Sequence, residues 1–223
     1  MRTIIIHIYP LQELGEAAKS EAINHFRDIN VHFDWYEPIY LDFIAICETI
    51  GLTVKSGDIG FSGFYTQGSG SAFSAEADLP GLIDGIRAEA WKSYAPKLEL
   101  AFAPLRIDRR VMALIRRGQL QPEASVLQPR RGLSARAYLD YGLPNHKAYE
   151  RIAGELRRLE DWLKSVADCI NQFLYRSLER EFEYQTTDEA IAESITANSY
   201  HFTIDGIFAG NIKALTAQNE EQP

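Results

Sequence analysis

Cysteine is nearly absent from this chain: two residues in 223, Cys47 and Cys169, with no CxxC. That leaves no disulfide framework and no thiol redox or metal motif. Both cysteines lie inside apolar helical patterns, where buried thiols of a reducing compartment are expected. Long apolar runs are missing too. Ile4, Ile5, Ile6 and Ile8 form the most apolar stretch near the start, but His7 and Pro10 interrupt it, so it is too short for a signal-peptide core. Nothing approaches the ~18 consecutive apolar residues of a membrane span, and a cytoplasmic protein with no membrane association is expected. Internal repeats and low-complexity tracts are absent. Basic residues are outnumbered, 23 Lys and Arg against 31 Asp and Glu, for a net charge of −8.

Aromatic residues are plentiful, with 11 Tyr, 11 Phe and 3 Trp, and hydrophobic residues make up 46% of the chain. This composition is that of a folded chain, not a disordered one. The length fits one domain over residues 1–212, followed by a polar tail at 213–223.

The hydrophobic periodicity predicts an α+β fold. A β-branched run at 3–9 reads as a strand. Helices are predicted over 12–29 and about 36–50, the second with Pro38 in its first turn and Gly51 just past its end. A hairpin follows, with Phe61, Gly63 and Tyr65 on one strand, Gln67-Gly68-Ser69-Gly70-Ser71 as the turn, and Phe73, Ala75, Ala77 and Leu79 on one face of the return strand. A short helix through about Ser93, a helix over 106–117, and a second hairpin at 121–128 and 133–141 come next. The longest feature is a helix at about 147–184. Its stripe is Tyr149, Ile152, Leu156, Leu159, Leu163, Val166, Ile170 and Phe173, at alternating spacings of three and four. Trp162 and Leu174 widen that stripe beyond a coiled-coil seam, which points to packing within the chain's own core. Asp188–Ala197 reads as a helix capped by Thr187, and His201–Ile204 as a last strand. The expected architecture is an antiparallel sheet of the N-terminal strand, both hairpins and possible C-terminal strand, with helices on one face.

Sites of chemistry are few. The glycine-rich turn at 67–71 lacks the Lys-Ser/Thr of a phosphate loop and precedes a strand; the positive φ of a hairpin turn explains its glycines. His25, Asp28 and His32 share a helical face only if that helix continues, and Asn30 and Val31 argue that it stops; no metal and no cofactor are expected. Asp34, Glu37 and Asp42 suit general acid–base work, but carboxylates at a helix start are also favoured by the helix dipole. No catalytic residue is assigned. The aromatics Trp35, Phe64 and Tyr65, with Gln67, Gly68 and Gly70, form a candidate hairpin site, against which stands ordinary cross-strand packing.

Charge is unevenly placed. Residues 97–158 carry 13 Lys and Arg against 6 Asp and Glu, a balance of +7, while the remainder carries 10 against 25, a balance of −15. Arg109, Arg110, Arg116 and Arg117 fall on a predicted helix, and Arg130 and Arg131 on a predicted turn. Such a segment either docks on a charged partner or packs beside the chain's own acidic remainder.

Three motifs in order carry a family resemblance: Trp35-Tyr36-Glu37 leading a helix, IGFSGFYTQGSGSAF at 59–73, and FLYRSLEREFEYQTTDEAIAESITANSYHFTIDG at 173–206. Together they resemble a family of phage and prophage proteins, some labelled as the antitoxin of a toxin–antitoxin stability system. The resemblance points to Trp35, Phe61, Gly63, Phe64, Gln67, Gly68, Gly70 and Phe73. Thr66, Ser69 and Ser71 depart from the pattern, and Ser69 stands where many relatives carry Asp, so chemistry resting on that carboxylate does not carry over. The resemblance implies an interaction protein of a mobile element that binds and neutralises a protein partner, antitoxin-like or inhibiting host defence. The alternatives are a nucleotide-binding protein or enzyme with its pocket at the 59–73 hairpin, and a nucleic-acid binder using the 97–158 arginines.

Overall fold

The computed structural model describes residues 5–127, 136–140 and 149–210. In chain order, β1 (Tyr9–Pro10) leads through a 3-10 turn at Leu11–Glu13 to α1 (Glu16–His25) and α2 (Glu37–Thr49). The hairpin β2 (Leu52–Phe61) and β3 (Ser71–Ala77) follows, then α3 (Leu79–Arg87), a 3-10 turn at Ala90–Ser93 and α4 (Arg109–Arg116). The chain continues through β4 (Glu123–Leu127), β5 (Arg136–Asp140), the 36-residue α5 (Glu150–Gln185), α6 (Asp188–Ala197) and β6 (His201–Phe202). The fold is α+β with antiparallel sheets, as the periodicity predicts. Among the described residues no helix is long and apolar enough to cross a membrane.

Two compact units divide these elements: residues 36–179 form one, and residues 1–35 with 180–223 the other. The larger unit holds a four-stranded sheet in the order β2-β3-β4-β5, every neighbour antiparallel. Its register aligns Val54, Ala75, Val126 and Ala137 across all four strands, and these residues are buried. Thr53, Glu76 and Tyr138 lie on the other, exposed face, the alternation expected of a sheet with one wet side. β2 carries three extra residues between Val54 and Ile59, a bulge that returns Ile59 to the buried face opposite Phe73. α2 packs on this sheet through Phe43, whose ring meets Phe73 edge-on at 5.2 Å between centroids. Gly51 ends α2 with a φ of +80°, and a Cβ there would lie 2.8 Å from the Leu82 backbone nitrogen. Only glycine meets both demands.

The middle of the predicted stripe is buried on α5, whereas Tyr149 precedes the helix and is exposed, and Ile152 and Phe173 are half-buried. Leu156, Leu159, Leu163, Val166 and Ile170 are at most 1% exposed, and Leu174 and Leu178 continue the buried line. Trp162 is buried as well and donates its indole N–H to the Ala103 carbonyl, 2.8 Å away.

The smaller unit holds β1, α1, α6 and β6. β1 pairs antiparallel with β6, and Leu11, Ile23, Ile191, Ile195 and Phe202 form its core. Thr187 caps α6, accepting from the Ala190 N–H.

Four expectations need correction. The strand expected over 3–9 is confined to Tyr9–Pro10 where described, and it pairs with β6, not with the hairpin sheet. Ile5 and Ile8, which fall on opposite faces of an alternating run, are both exposed. The helix expected over 12–29 is α1 alone, because the chain first makes a 3-10 turn and Gly15 is extended before the helix begins. In the first hairpin β2 ends at Phe61; Gly63 and Tyr65 lie beyond it with positive φ. On the return strand Leu79 opens α3 instead of ending β3. The second hairpin forms as β4 and β5, while its turn, with Arg130 and Arg131, and the tail at 213–223 lie outside the described residues.

Candidate functional site

The loop between β2 and β3 is knit together internally. Ser62 donates its N–H to the Gly70 carbonyl at 3.0 Å and its hydroxyl to the Gly68 carbonyl at 2.8 Å. The Ser69 N–H donates to the Thr66 carbonyl, the Thr66 N–H to Ser69 Oγ, and the two hydroxyls are 2.9 Å apart. Gly63, Tyr65 and Gly68 take positive φ of 95°, 63° and 94°. Tyrosine pays for that conformation where glycine does not, so surrounding contacts must hold Tyr65 there.

Two anchors fix this loop to α5. Ser71, buried at the start of β3, donates its hydroxyl to Asn171, and Asn171 Nδ2 donates to the Ser71 carbonyl at 2.9 Å. Phe64 is buried, stacks on Phe61 at 5.7 Å and meets Tyr175 at 5.6 Å. Between loop and helix runs a cleft of about 410 Å³, lined by Tyr65, Thr66, Ser69, Gly70 and Ser71 on one side and by Asn171, Gln172, Tyr175, Arg176 and Glu179 on the other. Burial, then the Glu179 charge, pushes the Tyr175 hydroxyl above the ordinary tyrosine range. Arg176 is exposed on the rim, and among the described residues it makes no ion pair.

Of the hairpin residues singled out in the sequence, Phe64, Tyr65 and Gly70 come together at this cleft. Phe64 is a packing residue, Tyr65 is 66% exposed, and Gln67 and Gly68 form the exposed tip. Trp35 falls in the smaller unit, its ring 5.8 Å from Phe182. Sequence reasoning missed the helical wall. Its signal was a polar line, Asn171, Tyr175 and Glu179, at i+4 spacing on the flank of the apolar stripe.

A second groove, of about 590 Å³, is lined by Tyr36, Glu37, Tyr40, Ser56, Ile59, Gly60 and Phe61. Burial pushes the Tyr40 hydroxyl up to about 12, with Tyr36 adding to the effect. A folded-state value above the unfolded value of 10.0 means that the unfolded chain loses this proton first as pH rises. Stability held below pH ~10 is therefore expected to fall between pH ~10 and ~12. Denaturant unfolding at stepped pH checks this: Tyr40→Phe should be less sensitive to alkali than the parent.

The arginine segment is ordered around Asp108, the N-cap of α4. Its Oδ1 accepts from the Arg110 N–H and its Oδ2 from Arg151, both at 2.8 Å. The Arg110 N–H first, and Arg151 beside it, hold this carboxyl below its ordinary range. The Asp108 N–H donates to Glu155, whose other oxygen accepts from Arg158. Arg109 and Arg110 thus stand exposed beside Arg151 and Arg158, two arginines of α5 not singled out in the sequence. Arg109, Arg110 and Arg117 make no ion pair among the described residues, whereas Arg116 is paired with Asp84. Arg116 therefore packs beside the chain's own acidic residues, the second of the two readings of this segment, with α3 supplying the carboxylate.

The remaining candidates disperse. α1 ends at His25, so the helical face shared with His32 does not exist, and among the described residues no group of three His, Cys, Asp or Glu side chains could hold a metal ion. Glu37 opens α2, and Asp42 accepts a hydrogen bond of 2.6 Å from the Tyr94 hydroxyl.

No curated protein and no solved structure matches this chain. A family model does match residues 35–188, a span that takes in all of the larger unit, both walls of the cleft and the arginine face. The chain therefore belongs to the family described as the domain of unknown function DUF8835.

Proposed function

We propose that this chain is an interaction protein of a phage or other mobile element that docks on an acidic protein surface through its arginine face and neutralises the partner. The observation that carries this reading is the arrangement at the start of α4. Arg109 and Arg110 lack carboxylate partners among the described residues, and the Asp108–Glu155 network anchors Arg151 and Arg158 beside them. Planar, forked guanidinium groups suit bidentate contact with carboxylates, and arginine is enriched among residues that dominate interface energetics. A polyanion is the poorer fit. With a net charge of −8, the molecule as a whole repels a long phosphate chain, and only short-range pairing favours contact.

The test is affinity purification from the native host with nuclease treatment, then titration of the recovered partner. Arg109→Glu combined with Arg110→Glu should weaken binding by about tenfold or more with an unchanged melting temperature. Retention of parental affinity, or loss of the captured species on nuclease treatment, counts against the reading.

A further inference from the structure

The cleft between the 62–71 loop and α5 is separate from the arginine face in its residues and in its chemistry. We propose that it is a binding site for a small phosphate monoester bearing hydroxyl groups, of the size of a sugar phosphate or a nucleoside monophosphate.

Three observations carry this. First, a cleft of about 410 Å³ lies in the range of small-molecule sites. Its walls are fixed: the loop is closed by its own hydrogen bonds, and Ser71 with Asn171 and Phe64 with Tyr175 tie it to the helix. A ligand entering pre-ordered walls spends little on arranging them.

Second, the polar groups are of the kinds a phosphate monoester requires. Arg176 brings a charged fork without an acidic partner among the described residues, and the hydroxyls of Thr66 and Ser69 stand across from it on the loop. Guanidinium and hydroxyl donors together form short, charge-assisted bonds to phosphate oxygens. Their spacing also gives the site a direction. Glu179 lies one helical turn beyond Arg176, so an anion is drawn to the Arg176 end and repelled at the Glu179 end. Glu179 is suited to accept hydrogen bonds from ligand hydroxyls.

Third, Tyr65 is held on the loop at a φ of 63° and is 66% exposed at the cleft mouth. A side chain kept in a costly backbone conformation and presented outward is suited to cover a ring.

Isothermal titration of the full chain with adenosine 5′-monophosphate, ribose 5-phosphate and inorganic phosphate tests the assignment. Arg176→Gln is the main variant and Arg109→Gln the control. Saturable binding of at least one of the two organic phosphates is expected, weakened about tenfold or more by Arg176→Gln and unaffected by Arg109→Gln. Amide shifts in the nuclear magnetic resonance spectrum should centre on Ser69 and Gly70. Binding of none of the three probes overturns the proposal. So does binding of inorganic phosphate alone, equal loss in both variants, or shifts that centre elsewhere. Because Arg109→Gln belongs to the arginine face, failure here and failure of partner docking are read from different variants.

Discussion

Phe73→Ala is expected to destabilise the larger unit by about 3–5 kcal/mol. The ring is fully buried, lies opposite Ile59 in the β2–β3 register and meets Phe43 of α2 edge-on. Truncation removes a large apolar group and leaves a cavity between a sheet and a helix. Neither relaxes freely, because the ladder fixes the strand and Phe43 also contacts Phe173 of α5. At about 2–4 °C per kcal/mol for a protein of this size, the melting midpoint should fall by about 6–20 °C. Phe73→Leu keeps most of the volume and should cost less than about 1.5 kcal/mol. Calorimetry on both variants decides the matter. If the alanine and leucine variants melt together, ring packing does not hold this layer.

Leu163→Ala should cost about 2–5 kcal/mol. Leu163 sits mid-stripe on α5 and is fully buried within a single chain. Trp162, Val166 and Ala167 beside it are buried as well, so the site has little room to collapse. The comparison is Lys164→Ala, one residue along on the exposed side, which should stay within about 0.5 kcal/mol of the parent. A concentration-independent loss for Leu163→Ala supports a stripe that serves the chain's own core. A midpoint that moves with protein concentration would instead assign it to a coiled-coil partner.

The sheet and the long helix were legible because each leaves a strong local period. Ala75 and Ala77 alternate with Glu76, and α5 repeats its apolar stripe over more than five turns, so one buried face is written directly into residue order. β2 was misplaced because its alternation breaks at Lys55–Asp58, where three extra residues bulge, and resumes only at Ile59. The N-terminal strand was overread for the opposite reason. Its residues have high β propensity, but Ile5 and Ile8 remain exposed.

By itself, the order of residues determined the fold class, the antiparallel hairpins, the capped helix α6, the buried face of α5 and the basic segment. Each follows from contacts between near neighbours or from a repeat that one face must bury. Tertiary structure alone decided which side chains share a site. Asn171, Tyr175 and Arg176 lie about a hundred residues from the loop they face, and Arg151 and Arg158 about forty to fifty from Asp108 and Arg109. Arg109 and Arg116 look alike in sequence, yet one is unpaired among the described residues and the other meets Asp84. Long-range pairing of this kind depends on how packed elements bring distant positions within hydrogen-bond reach, and local periodicity carries no record of it.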